Sequence, residues 1–391
     1  MNRLLWISFI LLSLPVIAQD NKGLADDTTQ ILLLEDINIQ LEATQAINDM
    51  YNFHFDRAEM QFRWIKQKYP SHPLSYFLLA LSEWWKINVN VENTQYDEKF
   101  EAYLDSAILK AEILYEQPQF KTEAAFFQAA GWAFKGRLYS ERKSWGKAAN
   151  AARHSLKFLD DIKDKGYLSP ELLFGDGLYN YFAVWIRENY PMLKPIMAFF
   201  KKGDKELGIQ QLRNVATNAF YTRTEAQYYL MRILAYEEQD MLGALQISEY
   251  LNKTFPDNAY FHRYYARMLY STGQIRKTER ESLRILERID SGKTGYEEIS
   301  GRYAAFYLGE IYKQRNEIEK AKYYYQRAIQ FAEAIDATDS GYYLNSMVSL
   351  GEIAIYEGDK DSAEIYLKQA RKDSKRKDPS NKRAKRLLKG L

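Results

Sequence analysis

The stretch that decides the fold is AAFYLGEIYKQRNEIEKAKYYYQRAIQFA, residues 304–332. Gly309 and Tyr312 lie three residues apart, a spacing that places two side chains on one face of a helix. A short polar turn follows, and Ala321 and Ala328 then mark one face of a second helix. Small residues on both faces allow two antiparallel helices to approach closely. The stretch therefore predicts a helical hairpin.

The same order of small and bulky residues recurs along the chain. The matching positions are Asp49, Ala58, Phe62 and Ile65; Trp132, Gly136, Tyr139 and Ala148; Ala235, Ala244 and Leu251; Leu269, Thr278 and Ile285; and Gly351, Ala354, Ala363, Leu367 and Ala370. A single hairpin cannot bury its apolar face alone, so neighbouring hairpins must stack. We expect about eight units covering residues 41–377.

This arrangement resembles the tetratricopeptide repeat (TPR) family, as an exported bacterial type, whose helix-turn-helix unit is about 34 residues long. The resemblance implies an all-α fold, a right-handed superhelical α-solenoid of about eight TPR-like helix-turn-helix units. The chain departs from the family pattern at Arg232 and Ala266, where glycine is commonest, and at Thr278, which replaces an alanine. Residues 170–225 also resemble a eukaryotic TPR family linked to mitochondrial outer membranes and inclusion-body clearance.

Two insertions interrupt the array, at residues 87–98 and 188–203. The second contains NYPMLKPIMAFFKKG, which begins at Asn189 and in which Pro195 is suited to open a short helix and Gly203 to close it. Its apolar side chains are Met192, Leu193, Ile196, Phe199 and Phe200. We expect them to pack onto the adjoining helices; a partner-facing or membrane-facing patch and an active-site lid are the alternatives.

The N-terminus has the order of a secretory signal peptide. Arg3 is followed by an apolar run, by Pro15, and by short residues before Gln19. We expect residues 1–18 to be removed near Ala18, leaving a lead-in segment at residues 19–40. The chain contains no cysteine, so a lipid-modified cysteine and disulfides are excluded. We therefore expect an exported, periplasmic protein.

The C-terminus is strongly basic. Lys368 to Leu391 holds eleven Lys and Arg against two Asp, although the whole chain carries a net charge of only +2. We interpret residues 378–391 as a basic tail that forms a solvated cap on the exposed end of the repeat array. Export argues against nucleic acid as a partner.

Catalytic patterns are absent from the sequence. The chain has four histidines, and no two of them stand at the spacing of a zinc-binding HExxH pair. No phosphate-binding loop or nucleophile elbow is present. We expect a protein without catalytic residues, metal or cofactor.

A binding surface is better supported. In a stacked array of this kind the first helix of each unit lines the inner wall, and eight side chains are candidates for that surface. They are Tyr229, Ile233, Tyr236, Arg263, Arg267, Tyr270, Tyr303 and Phe306. Arg263 and Arg267 are one helical turn apart, so their guanidinium groups are placed to hold a carboxylate of a peptide. In the alternative, the tyrosines pack between repeats and the arginines pair with local acids.

The leading hypothesis is a non-enzymatic TPR scaffold that binds a protein or peptide partner in the cell envelope. The alternative is a structural or assembly factor that docks to a membrane-associated complex through the apolar insert at residues 189–203. The partner's identity and the oligomeric state are left open by the sequence.

Overall fold

The structure, a computed structural model, describes residues 33–162, 165–166, 168–191, 194 and 201–391. These residues form seventeen α-helices and no strand. The helices are α1 (Ile37–Tyr51), α2 (Phe55–Lys68), α3 (Pro73–Val89), α4 (Asp97–Tyr115), α5 (Lys121–Glu141), α6 (Trp145–Ile162), α7 (Leu173–Asn189), α8 (Lys205–Asn218), α9 (Arg223–Tyr236), α10 (Met241–Thr254), α11 (Ala259–Ser271), α12 (Ile275–Asp290), α13 (Glu298–Gln314), α14 (Ile318–Glu333), α15 (Gly341–Glu357), α16 (Lys360–Asp373) and α17 (Pro379–Leu388). Short 3-10 turns at Pro118–Phe120 and Pro170–Leu172 precede α5 and α7.

Consecutive helices pair into hairpins, among them α1 with α2, α3 with α4, α5 with α6, α11 with α12, α13 with α14 and α15 with α16. The predicted all-α helical repeat fold is thus confirmed. Among the described residues no helix is both long and apolar enough to cross a membrane.

The chain divides into two compact units between Arg232 and Ile233. In the N-terminal unit, the indole rings of Trp84 and Trp85 are completely buried. In the C-terminal unit, the rings of Tyr307 and Tyr325 are buried to the same extent. Each unit therefore has its own core, in which large aromatic side chains fill the space between helices.

The small residues of the repeat pattern allow close packing of two helices, as the sequence predicts. A Cβ added at Gly309 would lie 2.6 Å from the ring of Tyr325, and one added at Gly351 would lie 2.7 Å from the side chain of Leu367. In both hairpins the second helix places a large side chain directly on the glycine of the first. Close helix packing is thus the reason for glycine at these positions.

Six hairpin turns share one backbone feature, a residue in the left-handed region. The residues are Phe53, Lys143, Gln239, Gly273, Asn316 and Gly358, and their φ angles lie between 55° and 79°. Glycine adopts this conformation without strain, whereas a residue with a Cβ does not. The repeat pattern in the sequence does not reveal this shared turn, because four of the six positions are not glycine.

The boundaries of the first helix and of the first insertion differ from those expected. Helix α1 begins at Ile37, inside the predicted lead-in segment, because the Asp36 side chain accepts hydrogen bonds from Asn38 N and Ile39 N. The first insertion is shorter than predicted, because α3 continues to Val89 and α4 already begins at Asp97. Arg142 holds this loop: its Nε donates to Asp97 Oδ2 at 2.6 Å, and its guanidinium also bonds to the carbonyl of Val91.

The second insertion lies between α7 and α8, as predicted, and Asp204 caps α8 by accepting from Leu207 N at 3.0 Å. Residues 195–200, where the sequence predicts the short helix that Gly203 closes, lie outside the described residues. A Cβ at Gly203 would lie 2.4 Å from the carbonyl oxygen of Asn180, so close packing requires glycine at this position. The insert side chains Met192, Leu193, Ile196, Phe199 and Phe200 lie outside the described residues.

The basic C-terminus is structured and is not only a solvated tail. Asp378 caps α17, and Ala384 on this helix is buried. Arg383 donates two hydrogen bonds to Glu352 on α15, both at 2.7 Å. The last helix therefore covers the end of the final hairpin through specific contacts, and part of its positive charge is neutralised there.

Candidate binding site

The four histidines make structural contacts. His54 Nδ1 lies 3.2 Å from Asp49 Oδ1, His72 Nδ1 accepts from Leu74 N, His154 stacks on Trp132, and His262 is buried against Tyr296 and Glu281. In the part of the chain that the structure describes, no three His, Asp or Glu side chains form a group that could hold a metal ion. The described geometry offers no catalytic constellation around a histidine.

Three arginines surround one tyrosine ring in the C-terminal unit. Arg263 and Arg267 lie one turn apart on α11, and Arg302 precedes Tyr303 on α13. Their guanidinium carbons lie 5.7 Å, 6.0 Å and 5.7 Å from the centre of the Tyr303 ring. These three residues are called the arginine cluster below. The predicted pair on α11 is thus joined by a third positive charge from the next hairpin.

The arginine cluster has no acidic partner among the described residues. Arg263 is only 7% exposed, and its Nη1 donates a hydrogen bond to Ser300 Oγ at 3.3 Å. Within the described part of the chain Arg267 has no hydrogen-bond or ion-pair partner, and its guanidinium carbon lies 4.7 Å from the centre of the Tyr236 ring. The Nε of Arg302 is buried and lacks a hydrogen-bond partner.

Other arginines of the same unit behave differently. Arg315 forms two hydrogen bonds to Glu279, and Arg327 forms two to Asp290. Local acids therefore neutralise arginines elsewhere in this unit. The sequence-based alternative, in which Arg263 and Arg267 pair with local acids, does not match the described contacts.

Placing three guanidinium groups close together costs electrostatic free energy, and the pKa of Arg302 reflects this cost. Burial lowers the pKa of Arg302, and the nearby positive charge of Arg263 lowers it as well, although Tyr303 acts in the opposite direction. Attraction between a guanidinium and an aromatic face offsets part of such a cost, by about 0.5–2 kcal/mol for each pair. An anion beside the three guanidinium groups would lower the repulsion further.

Tyrosine hydroxyl groups complete the site. The Tyr342 ring centre lies 4.5 Å from that of Tyr303, and its hydroxyl lies 3.0 Å from the hydroxyl of Tyr307. Burial raises the pKa of Tyr342, and it also raises the pKa of Tyr307. Both groups therefore stay protonated at neutral pH and add hydrogen-bond donors instead of negative charge.

The remaining predicted residues serve packing. Ile233 is buried, and the ring of Phe306 is buried against those of Tyr270 and Tyr342. Tyr270 stacks on Tyr307 with ring centres 4.4 Å apart. Tyr229 belongs to the N-terminal unit, where its hydroxyl accepts from Arg137 Nη1 at 3.0 Å.

Of the eight predicted residues, the structure brings together Tyr236, Arg263, Arg267 and Tyr303. Sequence reasoning missed Arg302 and Tyr342. A signal for Arg302 exists, since it directly precedes the predicted Tyr303 and shares the first helix of its hairpin. Tyr342 has no comparable signal, because its approach to Tyr303 depends on how α15 packs beside α13.

Comparison with known proteins agrees with this architecture. Residues 302–375 match the family model described as tetratricopeptide repeat. The solved structure described as the human IFIT1 dimer with PPP-AAAA is similar at 14% sequence identity, over 81% of this chain and 67% of that chain, with a TM-score of 0.40. No curated protein matches the chain. The described residues thus have an all-α helical repeat fold, and residues 302–375 match the tetratricopeptide repeat family.

Proposed function

We propose that the protein is a non-enzymatic scaffold that binds an acidic segment of a partner protein at the arginine cluster. The observation that supports this most strongly is the absence of a carboxylate partner, among the described residues, for Arg263, Arg267 and Arg302. A carboxylate from a partner would supply the missing negative charge. The structural contacts of all four histidines support the non-enzymatic part of the proposal.

The geometry favours a carboxylate over an apolar segment. Guanidinium groups bind carboxylates through paired hydrogen bonds, and such charged hydrogen bonds are about twice as strong as neutral ones. Tyrosine rings beside them provide rigid contact area for a peptide. A single carboxylate of a partner would leave two of the three guanidinium charges unbalanced, so the proposal requires a segment with more than one acidic residue.

The experiment measures the binding of a fluorescent ten-residue peptide rich in Asp and Glu by anisotropy. We expect the double variant Arg263→Ala/Arg267→Ala to bind it at least about tenfold more weakly than the unaltered protein. The matched control is Arg315→Ala/Arg327→Ala, which removes the same charge from the same unit but at arginines that acids already neutralise. The control should retain the affinity of the unaltered protein within about twofold.

Equal losses in both double variants would show that net charge, and not the cluster, attracts the peptide. Circular dichroism checks that each variant keeps its helix content. A single-stranded oligonucleotide of equal charge serves as the competing probe: tighter binding of the oligonucleotide than of the peptide would overturn the assignment of the partner as a protein.

We also propose that the protein acts outside the cytoplasm, on the basis of the apolar run and the short residues before Gln19. The test is N-terminal sequencing of the mature protein after cell fractionation. A chain that starts near Gln19 in the periplasmic fraction supports export. An intact Met1 in the cytoplasmic fraction contradicts it.

A further inference from the structure

A cavity of about 170 Å³ lies within the N-terminal unit, bordered by α5, α6 and α7 together with side chains of α9. Its described walls are mainly apolar, and they include the side chains of Phe126, Phe134, Leu156, Leu159, Phe174 and Phe182. Apolar cavities of about 150 Å³ take up benzene. The space is therefore large enough for one aromatic ring with a small substituent.

Three polar side chains of the lining, Arg137, Ser140 and Glu141, come from the last turns of α5. Arg232 on α9 joins them. The arrangement has the form of a small-molecule site, in which apolar walls take the body of a ligand and a few polar groups fix its orientation.

Two of these groups lack partners among the described residues. The Ser140 hydroxyl is buried, with its side chain 2% exposed, and makes no hydrogen bond. Glu141 makes no hydrogen bond or ion pair, and burial raises the pKa of its carboxyl group. Buried polar groups are nearly always hydrogen-bonded, so an unpaired hydroxyl in a cavity wall is a place for a ligand or water to bind.

Arg137 adds donors at the same place. Its Nη1 donates to the hydroxyl of Tyr229 at 3.0 Å, and its Nη2 donates to that of Tyr228 at 2.7 Å. The guanidinium has five N–H groups, so further donors stay available. Its carbon lies 4.3 Å from the centre of the Trp84 ring, which holds the group in place.

We propose that this cavity binds a small apolar molecule with a single uncharged head that both donates and accepts a hydrogen bond, such as a phenol or an alcohol. The body lies among the phenylalanine and leucine side chains, while the head accepts from Arg137 or Ser140 and donates to Glu141. A hydroxyl head both accepts and donates a hydrogen bond, whereas a carboxylate head has no hydrogen to donate to the Glu141 carboxyl group. This site lies in the N-terminal unit and is separate from the arginine cluster of the C-terminal unit.

Two probes that differ only in the hydroxyl group test the proposal. Calorimetry with the full-length protein measures the binding of p-cresol and of toluene. We expect saturable binding of p-cresol with one molecule per chain. The variant Ser140→Ala should weaken p-cresol binding at least about fivefold and change toluene binding less than twofold, because it removes a contact to the head only.

Filling the cavity gives an independent test. Ala133→Leu on α5 and Ala183→Leu on α7 each place a larger side chain in the lining, and each should abolish the binding of both probes. Two variants are used because a single overpacked wall can disturb folding, which circular dichroism and thermal unfolding reveal. The matched control is Ala102→Leu at an exposed position of α4, which should bind as the unaltered protein does.

Failure of p-cresol to saturate the unaltered protein would overturn the proposal. Unchanged binding in both folded cavity-filling variants would show that the probe binds elsewhere. Equal weakening of p-cresol and toluene by Ser140→Ala would overturn the assignment of the polar head.

Discussion

The ring of Tyr325 lies where Gly309 would carry a side chain, with two ring carbons 2.6 Å from the position of a Cβ. The Tyr325 hydroxyl donates to Glu310 Oε1 at 2.6 Å, which holds the ring in place. The hairpin of α13 and α14 thus depends on a residue without a side chain at this point. The packing of the Tyr325 ring therefore explains why the repeat pattern has a glycine at position 309.

We expect Gly309→Ala to destabilise the protein, because the added methyl group forces the Tyr325 ring from its position. Overpacking of a core costs about 1–3 kcal/mol, while alanine gains up to about 1 kcal/mol in helix propensity. The control is Gly341→Ala at the start of α15, where no atom lies within 4 Å of the added Cβ. Urea unfolding should show Gly309→Ala less stable than the control by about 1–2 kcal/mol; equal stabilities would contradict the packing argument.

Backbone strain at the hairpin turns predicts opposite changes in stability for two substitutions, one that removes a glycine and one that introduces a glycine. Gly273 has a φ of +71° with no atom within 4 Å of a possible Cβ, and Gln239 has a φ of 56° at an exposed position. Gly273→Ala should destabilise by about 1–2 kcal/mol, because only the backbone conformation opposes the methyl group. Gln239→Gly should stabilise by about 0.5–1 kcal/mol for the same reason. Thermal unfolding measures both, and changes of the same sign would refute the explanation.

Acidic pH should destabilise the protein because it protonates Glu59, which is buried between α2 and α3. Burial raises the pKa of this carboxyl group, but the hydrogen bond and charge of Lys86, the charge of Lys99 and the hydrogen bond of Ser82 together lower it by more, so the pKa is below its ordinary value. Lys86 Nζ lies 2.5 Å from Glu59 Oε1, and Ser82 donates to the same oxygen at 3.0 Å. A lowered pKa means that the stabilisation is present above the unfolded value of about 4.3 and is lost as the pH falls below it.

The variant Glu59→Gln should be less stable at pH 7 by about 2 kcal/mol, because Lys86 loses the nearer of its two carboxylate partners and keeps only Glu83. Between pH 5 and pH 3 the variant should lose less free energy of unfolding than the unaltered protein. Urea titrations at both pH values measure the difference. An identical pH dependence of the two proteins would exclude a role for Glu59 in acid sensitivity.

The C-terminal helix should contribute to stability although it is highly basic. Truncation after Asp378 removes α17, exposes the surface that Ala384 covers, and deletes the Arg383 contacts to Glu352. We expect the free energy of unfolding to fall by about 1–3 kcal/mol. Removal of residues 389–391 alone is the control and should have little effect. An unchanged urea midpoint in the longer truncation would support the original interpretation of a solvated tail.

Much of the fold could be predicted from local patterns. The spacing of Gly309 and Tyr312 indicates one helical face whatever the surroundings, and Asp204 caps α8 as its position suggests. Boundaries were less accurate, since α1 begins four residues before the expected start of the array and the first insertion is shorter. Local hydrogen bonds of Asp36 and Arg142 decide those boundaries, and the repeat spacing carries no information about them.

The candidate site was predicted only in part. Arg263 and Arg267 share a face because they are four residues apart, which is a property of the helix itself. Whether acids neutralise them depends on side chains that are distant in sequence. The same holds for Arg302, which lies near the other two arginines only because α13 packs beside α11.

The sequence by itself determined the helical hairpins and their repetition, because periodic small and apolar residues favour close helix packing in any surroundings. The tertiary structure alone decided which charges stay without a partner and where a cavity forms. Both depend on the distances between helices that are far apart in sequence. Neither an unpaired charge nor a cavity follows from a local sequence pattern, because each depends on which side chains the neighbouring helices place beside it.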